Sequence, residues 1–435
     1  VTIGVVGLGI SGLRAAMLLE RAGFETKLFE ARGRVGGRLY TSDEGEGVLY
    51  EAGGEWIDAD HCRVIALLEE FGIEPDPRGA WPKRLQFKGK HTTEDLIWND
   101  ALEDDLRVEN AARNMCAGLK IPPWENAQAG EWDRRTVTDF VCEHTESERG
   151  LWYVNAKFRS DEGEDLDRVG LLGWLVGFQN YLSREGDELS AFRFPGGASR
   201  LCEKMLGSLK PEAQFSRVLE RVRQDASGVT LVFNDGAERV DRVILTLPPP
   251  ALEQVVFEPA LSVGKRCAVE ACRLSRAIKI TWQFDRPWWT ERGWAGNMLC
   301  DTALQQTWDA SLGEAPVMSA YVCGDEAERW TQRGDPVNEG LFELGQLFPD
   351  SMKHFVRGWV HDWVRDPYAQ GAFSHLPPGY VLEHMRHMNP PESRVHFAGE
   401  HTASWTGFIE GAVQSAERVV AEVMEVESAE PTSEA

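Results

Sequence analysis

The apolar positions of this chain change period several times, and each change predicts an element. Ile3, Val5 and Val6 form an apolar strand, and Leu13, Ala16, Met17 and Leu19 then recur at helical spacing. A second strand, Thr26 to Phe29, follows at once. Within residues 61–73, Val64, Leu67, Leu68 and Phe71 share one helical face. The stretch 80–192 is mostly helical in pattern and rich in tryptophan, and Phe194-Pro-Gly-Gly197 opens a helix over Arg200 to Leu209. Gln214 to Val222 and Val229 to Asn234 read as a β pair closed by Asp235-Gly236, a hairpin signal. Arg242 to Thr246 is another strand, stopped by the prolines at 248–250. Residues 275–370 alternate strand-like segments with Trp-rich loops and helices. Val395 to Ala398 returns to a strand, before a glycine turn and a long helix ending near residue 424. Residues 425–435 are acidic, contain Ser and Pro, and read as a disordered tail. No internal repeat interrupts this order.

The first strand and helix are joined by Gly7-Leu-Gly9-Ile-Ser11-Gly12, and the second strand ends on Glu30, eighteen residues after Gly12. This is a complete dinucleotide-binding βαβ unit. Gly7 allows the tight turn, Gly9 lets backbone approach a pyrophosphate, and Gly12 lets helix and strand pack closely. The pyrophosphate lies at a helix N-terminus, where free N–H groups and the dipole favour negative charge. Glu30 accepts hydrogen bonds from a ribose with free hydroxyls.

Beyond Glu30 the chain continues Ala31-Arg32-Gly33-Arg34-Val35-Gly36-Gly37-Arg38, then Glu51-Ala-Gly53-Gly54-Glu55-Trp56. Near the C-terminus stands Val395-His-Phe-Ala-Gly399-Glu400-His401-Thr-Ala-Ser-Trp405-Thr-Gly407-Phe408-Ile409. Together these runs resemble the FAD signature of the flavin amine oxidase family, which includes monoamine, polyamine and L-amino-acid oxidases. The resemblance implies an α/β, two-domain flavoprotein with a Rossmann-type FAD-binding domain and an interleaved α+β substrate domain. It divides the chain into FAD-binding segments 1–80, 193–270 and 390–424 and substrate segments 81–192 and 271–389. The stretch from about 80 to 192 matches no motif.

Several residue roles come from the resemblance. Gly399 and Glu400 meet the ribityl–phosphate portion, and Gly407, Phe408 and Ile409 the pyrimidine edge. Val218 offers its backbone to adenine. Lys279, on Ser275-Arg-Ala-Ile-Lys279-Ile-Thr-Trp-Gln-Phe284, holds a water near flavin N5 and assists reoxidation by dioxygen. Trp363 opens a segment running to Phe373 that passes the flavin's reactive edge. Ala372 stands where some members attach FAD through cysteine, so FAD is expected to be non-covalent. Phe373 and Phe408 occupy the places of the two rings that frame the amine, and Trp405 adds a wall.

The substrate stays open between two classes. After Gly53-Gly54 no arginine follows to clamp a carboxylate. Trp56 and Asp58 look more like polyamine oxidases, with Asp58 as an ammonium partner. Against this, Arg63, Arg159 or Arg193 could enter the cavity, and the tryptophans would suit an aromatic amino acid. The expected reaction oxidises an amine C–N bond to an imine, with dioxygen giving hydrogen peroxide, and hydrolysis giving an aldehyde and ammonia. An L-amino-acid oxidase releasing a keto acid is the alternative, followed by a desaturase or isomerase, or a flavoprotein of low activity.

Composition narrows the partners. With 46 Lys and Arg against 70 Asp and Glu, the net charge of −24 repels a phosphate backbone and argues against nucleic acid. No stretch approaches the ~20 apolar residues that span a bilayer, and no basic-then-apolar leader is visible. The eight cysteines show no CxxC and no metal-ligand spacing, so they read as reduced residues of a cytoplasmic protein, with no metal expected. The expected partners are a small amine or amino acid and dioxygen, with a homodimer left open.

Overall fold

The computed structural model describes residues 1–77, 84–93, 96–182 and 190–429. The first strand, β1 (Thr2–Val6), is followed by α1 (Ile10–Arg21) and β2 (Glu25–Phe29). β1 pairs in parallel with β2 on one side and with Arg242–Leu245 on the other. Ala213–Gln214 extends the sheet beyond β2, and Val395–Phe397 extends it beyond Arg242–Leu245. All five strands are parallel, and Thr2–Val6 and Arg242–Leu245 at the sheet's centre are buried nearly throughout, as in a sheet covered on both faces. α1 packs on the closing helix Ile409–Ala429, joined by Leu13, Met17, Val413 and Ala416 in one core.

The predicted strand Gln214 to Val222 is in fact two. Ala213–Gln214 belongs to the parallel sheet, whereas Leu219–Asp225 belongs to a separate four-stranded sheet with the hairpin Gly228–Phe233 and Gly236–Val240. The chain turns between them at Ser216, whose φ is +58°. The closing helix also runs five residues past the expected end. Glu427 pairs with the buried guanidinium of Arg242, which ties the last turn to the parallel sheet. Glu425–Ala429 is therefore helical, while 430–435 lies outside the described residues.

A second large sheet has seven strands, in the order Phe355–Asp362, Ala277–Phe284, Val317–Cys323, Gln306–Asp309, Met298–Cys300, Arg84–Phe87 and Lys90–Thr93. Trp282, Trp288, Trp289 and Trp330 are fully buried in one cluster behind this sheet. These four tryptophans are thus core residues, and they lend no weight to an aromatic substrate. Beyond the strands Arg84–Phe87 and Lys90–Thr93, the described part of the segment without a recognised motif is mostly helical, with Asn99–Cys116, Val137–His144, Glu148–Glu162 and Leu171–Phe178. Among the described residues, no helix is long and apolar enough to cross a membrane.

Candidate active site

The turn after β1 is built from close backbone contacts. Gly7 takes φ +94°, and a Cβ on Gly12 would stand 1.9 Å from the Gly7 carbonyl oxygen. Only glycine lets α1 start this close to the turn. α1 has no side-chain cap and no acid in its first turn, so its leading N–H groups keep their affinity for an anion. Gly7, Gly9, Ile10 and Ser11 line one cavity of about 1570 Å³, while Gly12 packs beneath it. The Ser11 hydroxyl shares a hydrogen bond of 3.0 Å with Ser415 on the closing helix.

Glu30 is buried at the cavity wall. Its Oε2 accepts from the Leu8 N–H at 2.7 Å and its Oε1 from the Arg32 N–H at 2.8 Å. Burial raises its pKa against the pull of those two bonds and of Arg32 and Arg34. Each oxygen keeps a lone pair for a ribose hydroxyl. Replacing Glu30 by alanine removes that acceptor. With about 1.5–3 kcal/mol for a charge-assisted hydrogen bond, FAD affinity is expected to fall roughly 10- to 100-fold in a flavin titration. Unchanged affinity would separate Glu30 from the cofactor.

Three loops converge beyond Glu30. Ala31, Arg32, Gly36, Gly37, Arg38, Gly53, Gly54, Glu55 and Trp56 all line the cavity. A Cβ on Gly53 would lie 2.0 Å from the Arg38 carbonyl oxygen, so the loop 51–56 touches the loop 36–38 through bare backbone. Arg32 grips Asp366 through two hydrogen bonds, of 2.9 and 2.6 Å. Arg38 donates to Glu400 at 2.7 Å and to the Ala372 carbonyl at 2.9 Å.

Glu400 is the hub of this region. It accepts from Arg38, from the Ser374 hydroxyl at 2.9 Å and from the Gly407 N–H at 2.8 Å. Burial opposes its charge, yet Arg38, His401 and these hydrogen bonds together hold its pKa below the ordinary value. Gly399, Glu400, Gly407, Phe408 and Ile409 line the cavity, and so does Trp363, whose indole N–H donates to the Ala52 carbonyl at 2.8 Å.

Two predicted contacts are arranged differently from expectation. Val218 lines the cavity, but its N–H donates to Asn234 Oδ1 at 2.9 Å and its carbonyl accepts from the Asn234 N–H at 3.1 Å. The backbone edge expected to meet adenine is bonded within the hairpin. Lys279 faces the cavity, opposite Tyr321 and His361 on the flanking strands. Its ammonium donates to the carbonyls of Glu51 at 3.0 Å and Gly53 at 2.9 Å and to Glu55 Oε2 at 3.0 Å. These acceptors take all three N–H groups, leaving none for a water in this arrangement. Glu55 is further held by Arg193 and by the Trp308 indole N–H.

Phe373 and Phe408 both line the cavity. Trp405 does not: it is buried behind Phe408, their ring centroids 5.7 Å apart. His61 and Tyr181 complete this aromatic group and themselves face the cavity, with Tyr181 5.6 Å from Trp405 and His61 5.6 Å from Phe408. Trp174, Phe178 and Tyr181 lie on one cavity wall. Their spacing of four and three residues was visible in the sequence as one face of a helix. Asp58 is buried at the cavity edge, where it accepts from the Ser190 N–H at 2.7 Å and stands 3.6 Å from His61. Its carboxylate is tied to a distant segment at Ser190 as well as to its own loop at His61. Of the three arginines considered for a substrate carboxylate, none lines the cavity. Arg63 pairs with Glu410 and Glu417, and Arg193 with Glu55.

A dinucleotide fold whose glycine cradle opens into a cavity walled by aromatic rings defines the class of a redox flavoprotein with a small-molecule substrate. The family model "flavin containing amine oxidoreductase" matches residues 10–424, and the chain belongs to that family. The L-amino acid dehydrogenase of Synechocystis is 26% identical, over 95% of this chain and 92% of that relative. A flavin-containing amine oxidase of Danio rerio is 27% identical, over 97% of this chain and 85% of its own length. In fold the chain resembles cyclohexylamine oxidase from Brevibacterium oxydans, with a TM-score of 0.87 at 23% identity, covering 98% and 99% of the two chains. Putrescine oxidase bound to putrescine gives a TM-score of 0.89 at 21% identity over the same shares.

Proposed function

We propose that this protein is an FAD-dependent oxidase that converts an amine to an imine and passes the electrons to dioxygen. The cavity exceeds the roughly 300–1,000 Å³ of a single small-molecule site, which leaves room for an extended cofactor and a substrate together. In this reading segments 1–80, 193–270 and 390–424 hold FAD, and 81–192 with 271–389 shape the substrate space. The diphosphate takes the N-terminus of α1, the ribose takes Glu30, and the bare backbone of Gly36, Gly37, Gly53 and Gly54 accommodates the extended chain. Ala372 offers no thiol, which supports non-covalent binding, and FAD should leave with the supernatant after acid precipitation. Bound FAD supplies the two-electron acceptor. The chain's own residues position the amine between Phe373 and Phe408, exclude water with Trp174, Phe178 and Tyr181, and favour the neutral amine by desolvation.

One observation carries amine over amino acid. The three arginines considered for a carboxylate, Arg63, Arg159 and Arg193, lie outside the cavity, while Asp105, Glu109, Asp161 and Glu162 line its wall and outnumber the Arg113 and Lys157 beside them. Anaerobic bleaching of the flavin, run with matched amines and amino acids, tests this. Faster bleaching by an L-amino acid than by its decarboxylated amine would reverse the choice. Peroxide formation on readmitting air tests the acceptor, and turnover with artificial acceptors alone would make the enzyme a dehydrogenase.

Alanine at Phe373 or Phe408 removes a π face from the amine. At about 0.5–2 kcal/mol for a cation–π contact with the incoming ammonium, substrate binding is expected to weaken roughly 2- to 30-fold, and flavin reduction at subsaturating substrate to slow with it, while flavin content holds. Stopped-flow traces that match wild type would return both rings to simple packing.

A further inference from the structure

The helix Glu148–Glu162 points its last residue into the substrate side of the cavity. Gly163, which follows with φ +64°, fixes where that end lies. A Cβ there would stand 2.5 Å from Phe373 Cζ and 2.7 Å from Ser275 Oγ, so the helix end abuts the tip of the Phe373 ring. Glu162, which lines the cavity, thus directly precedes the glycine that packs on one of the two rings proposed to frame the amine.

Its carboxylate is alone. Among the described residues none gives it a hydrogen bond or an ion pair. Three nearby cations are already committed, Lys157 to Asp105 and Glu109, Lys279 to Glu55, and Arg276 to Glu164, Asp325 and Glu328, while Arg113 on the cavity wall and Arg159, one turn back on the same helix, form no ion pair with it. The charged group that acts on Glu162 is Asp161 on its own helix, and the ionisation of Tyr321, on the sheet, in turn feels both acids. Burial and Asp161 push the Glu162 carboxyl up to about 8. The Tyr321 hydroxyl is buried, has no hydrogen-bond partner and belongs to a residue that lines the same cavity. Two polar groups left unsatisfied in one protein cavity each cost free energy that a ligand can recover.

Building on the amine reading above, we propose that Glu162, with the Tyr321 hydroxyl, receives a second protonated nitrogen of the substrate. The enzyme then selects amines that carry a further cationic group. A diamine and a basic amino acid share this chemistry. Asp58, the acid first expected in this role, is already bonded to Ser190.

The test is calorimetric binding to the flavin-loaded protein of unreactive amines. The probes are an α,ω-diamine whose carbons next to nitrogen carry no hydrogen, and tert-butylamine as the single-charge control. Glu162→Gln is expected to weaken diamine binding about 10- to 100-fold and to change tert-butylamine binding less than about twofold. Tyr321→Phe gives the same pattern with a smaller loss. Because the carboxyl titrates near 8 and a bound cation favours its charged form, diamine binding at neutral pH releases more protons in wild type than in Glu162→Gln. If Glu162→Gln does not fold, Glu162→Asp, which keeps the charge on a shorter arm, is expected to fall between the two. Equal losses for both probes, no loss, or equal proton release in wild type and Glu162→Gln would overturn the proposal. Flavin reduction by cadaverine against L-lysine separates the two sources. Should no amine or amino acid bleach the flavin, the enzyme reading fails on its own, and the binding contrast still judges Glu162.

Discussion

Glu400→Ala is expected to cost about 3–5 kcal/mol of stability, the range for breaking a buried ion pair by removing one partner. The reason is geometric. Glu400 is buried and draws Arg38, Ser374 and Gly407 onto one carboxylate, so it ties together three loops from distant parts of the chain. Its loss leaves the Arg38 guanidinium with only the Ala372 carbonyl at that end and the Gly407 N–H without its acceptor. Thermal or chemical denaturation of the flavin-free protein measures the loss without reference to activity. The pH dependence follows in sign. A carboxyl whose folded pKa lies below its unfolded value contributes stability above the unfolded value, about 4.3, and loses it as pH falls through the folded one. Glu400→Gln should abolish that acid-side loss while sparing some of the hydrogen bonds. A denaturation midpoint unchanged in both variants would mean the three loops hold together without this acid.

How much of this was legible in the sequence depends on how local each device is. Gly7, Gly9, Gly12 and Glu30 stand within one βαβ unit, where spacing alone dictates geometry, and the structure forms that unit with Glu30 facing the cavity. Gly399-Glu400 could be recognised, but not that Glu400 is consumed by protein donors, since Arg38 and Ser374 come from other parts of the chain. Asp58 illustrates the same limit: a carboxylate after the Gly-Gly pair looks available until the Ser190 N–H arrives from 132 residues away. Trp405 lies in the right segment but one layer too deep. Glu162 carried no signal, because an acid at the end of an amphipathic helix is ordinarily solvated, and only the packing of Gly163 on Phe373 brings it to the cavity. The short strand Ala213–Gln214 was invisible for a related reason. It joins β2 across some 185 residues and is too brief to show a period.

Lys279→Met is expected to have a comparable effect, and its pattern separates two roles for the residue. In this arrangement the ammonium satisfies two carbonyls and shares the Glu55 carboxylate with Arg193, in a setting where Lys279 and Glu55 are both buried. Methionine fills much the same space but donates nothing. Glu55 then keeps Arg193 and the Trp308 indole N–H, while the Glu51 and Gly53 carbonyls lose a buried donor. Removing one member of a buried charge cluster costs about 3–5 kcal/mol. If the lysine is mainly an anchor, the variant is destabilised by that amount, the Gly53-Gly54 turn loosens, and flavin affinity falls with both half-reactions. If it acts as the family resemblance implies, an N–H must leave one of these acceptors once FAD is bound, and reoxidation by air slows far more than flavin binding or anaerobic reduction. Glu55→Gln sharpens the contrast: it frees the ammonium from its carboxylate, so the anchor role predicts a loss like that of Lys279→Met and the oxygen role predicts reoxidation at or above the wild-type rate. Stopped-flow reoxidation, read beside denaturation of all three proteins, decides between them, and wild-type behaviour in both variants would remove Lys279 from either role.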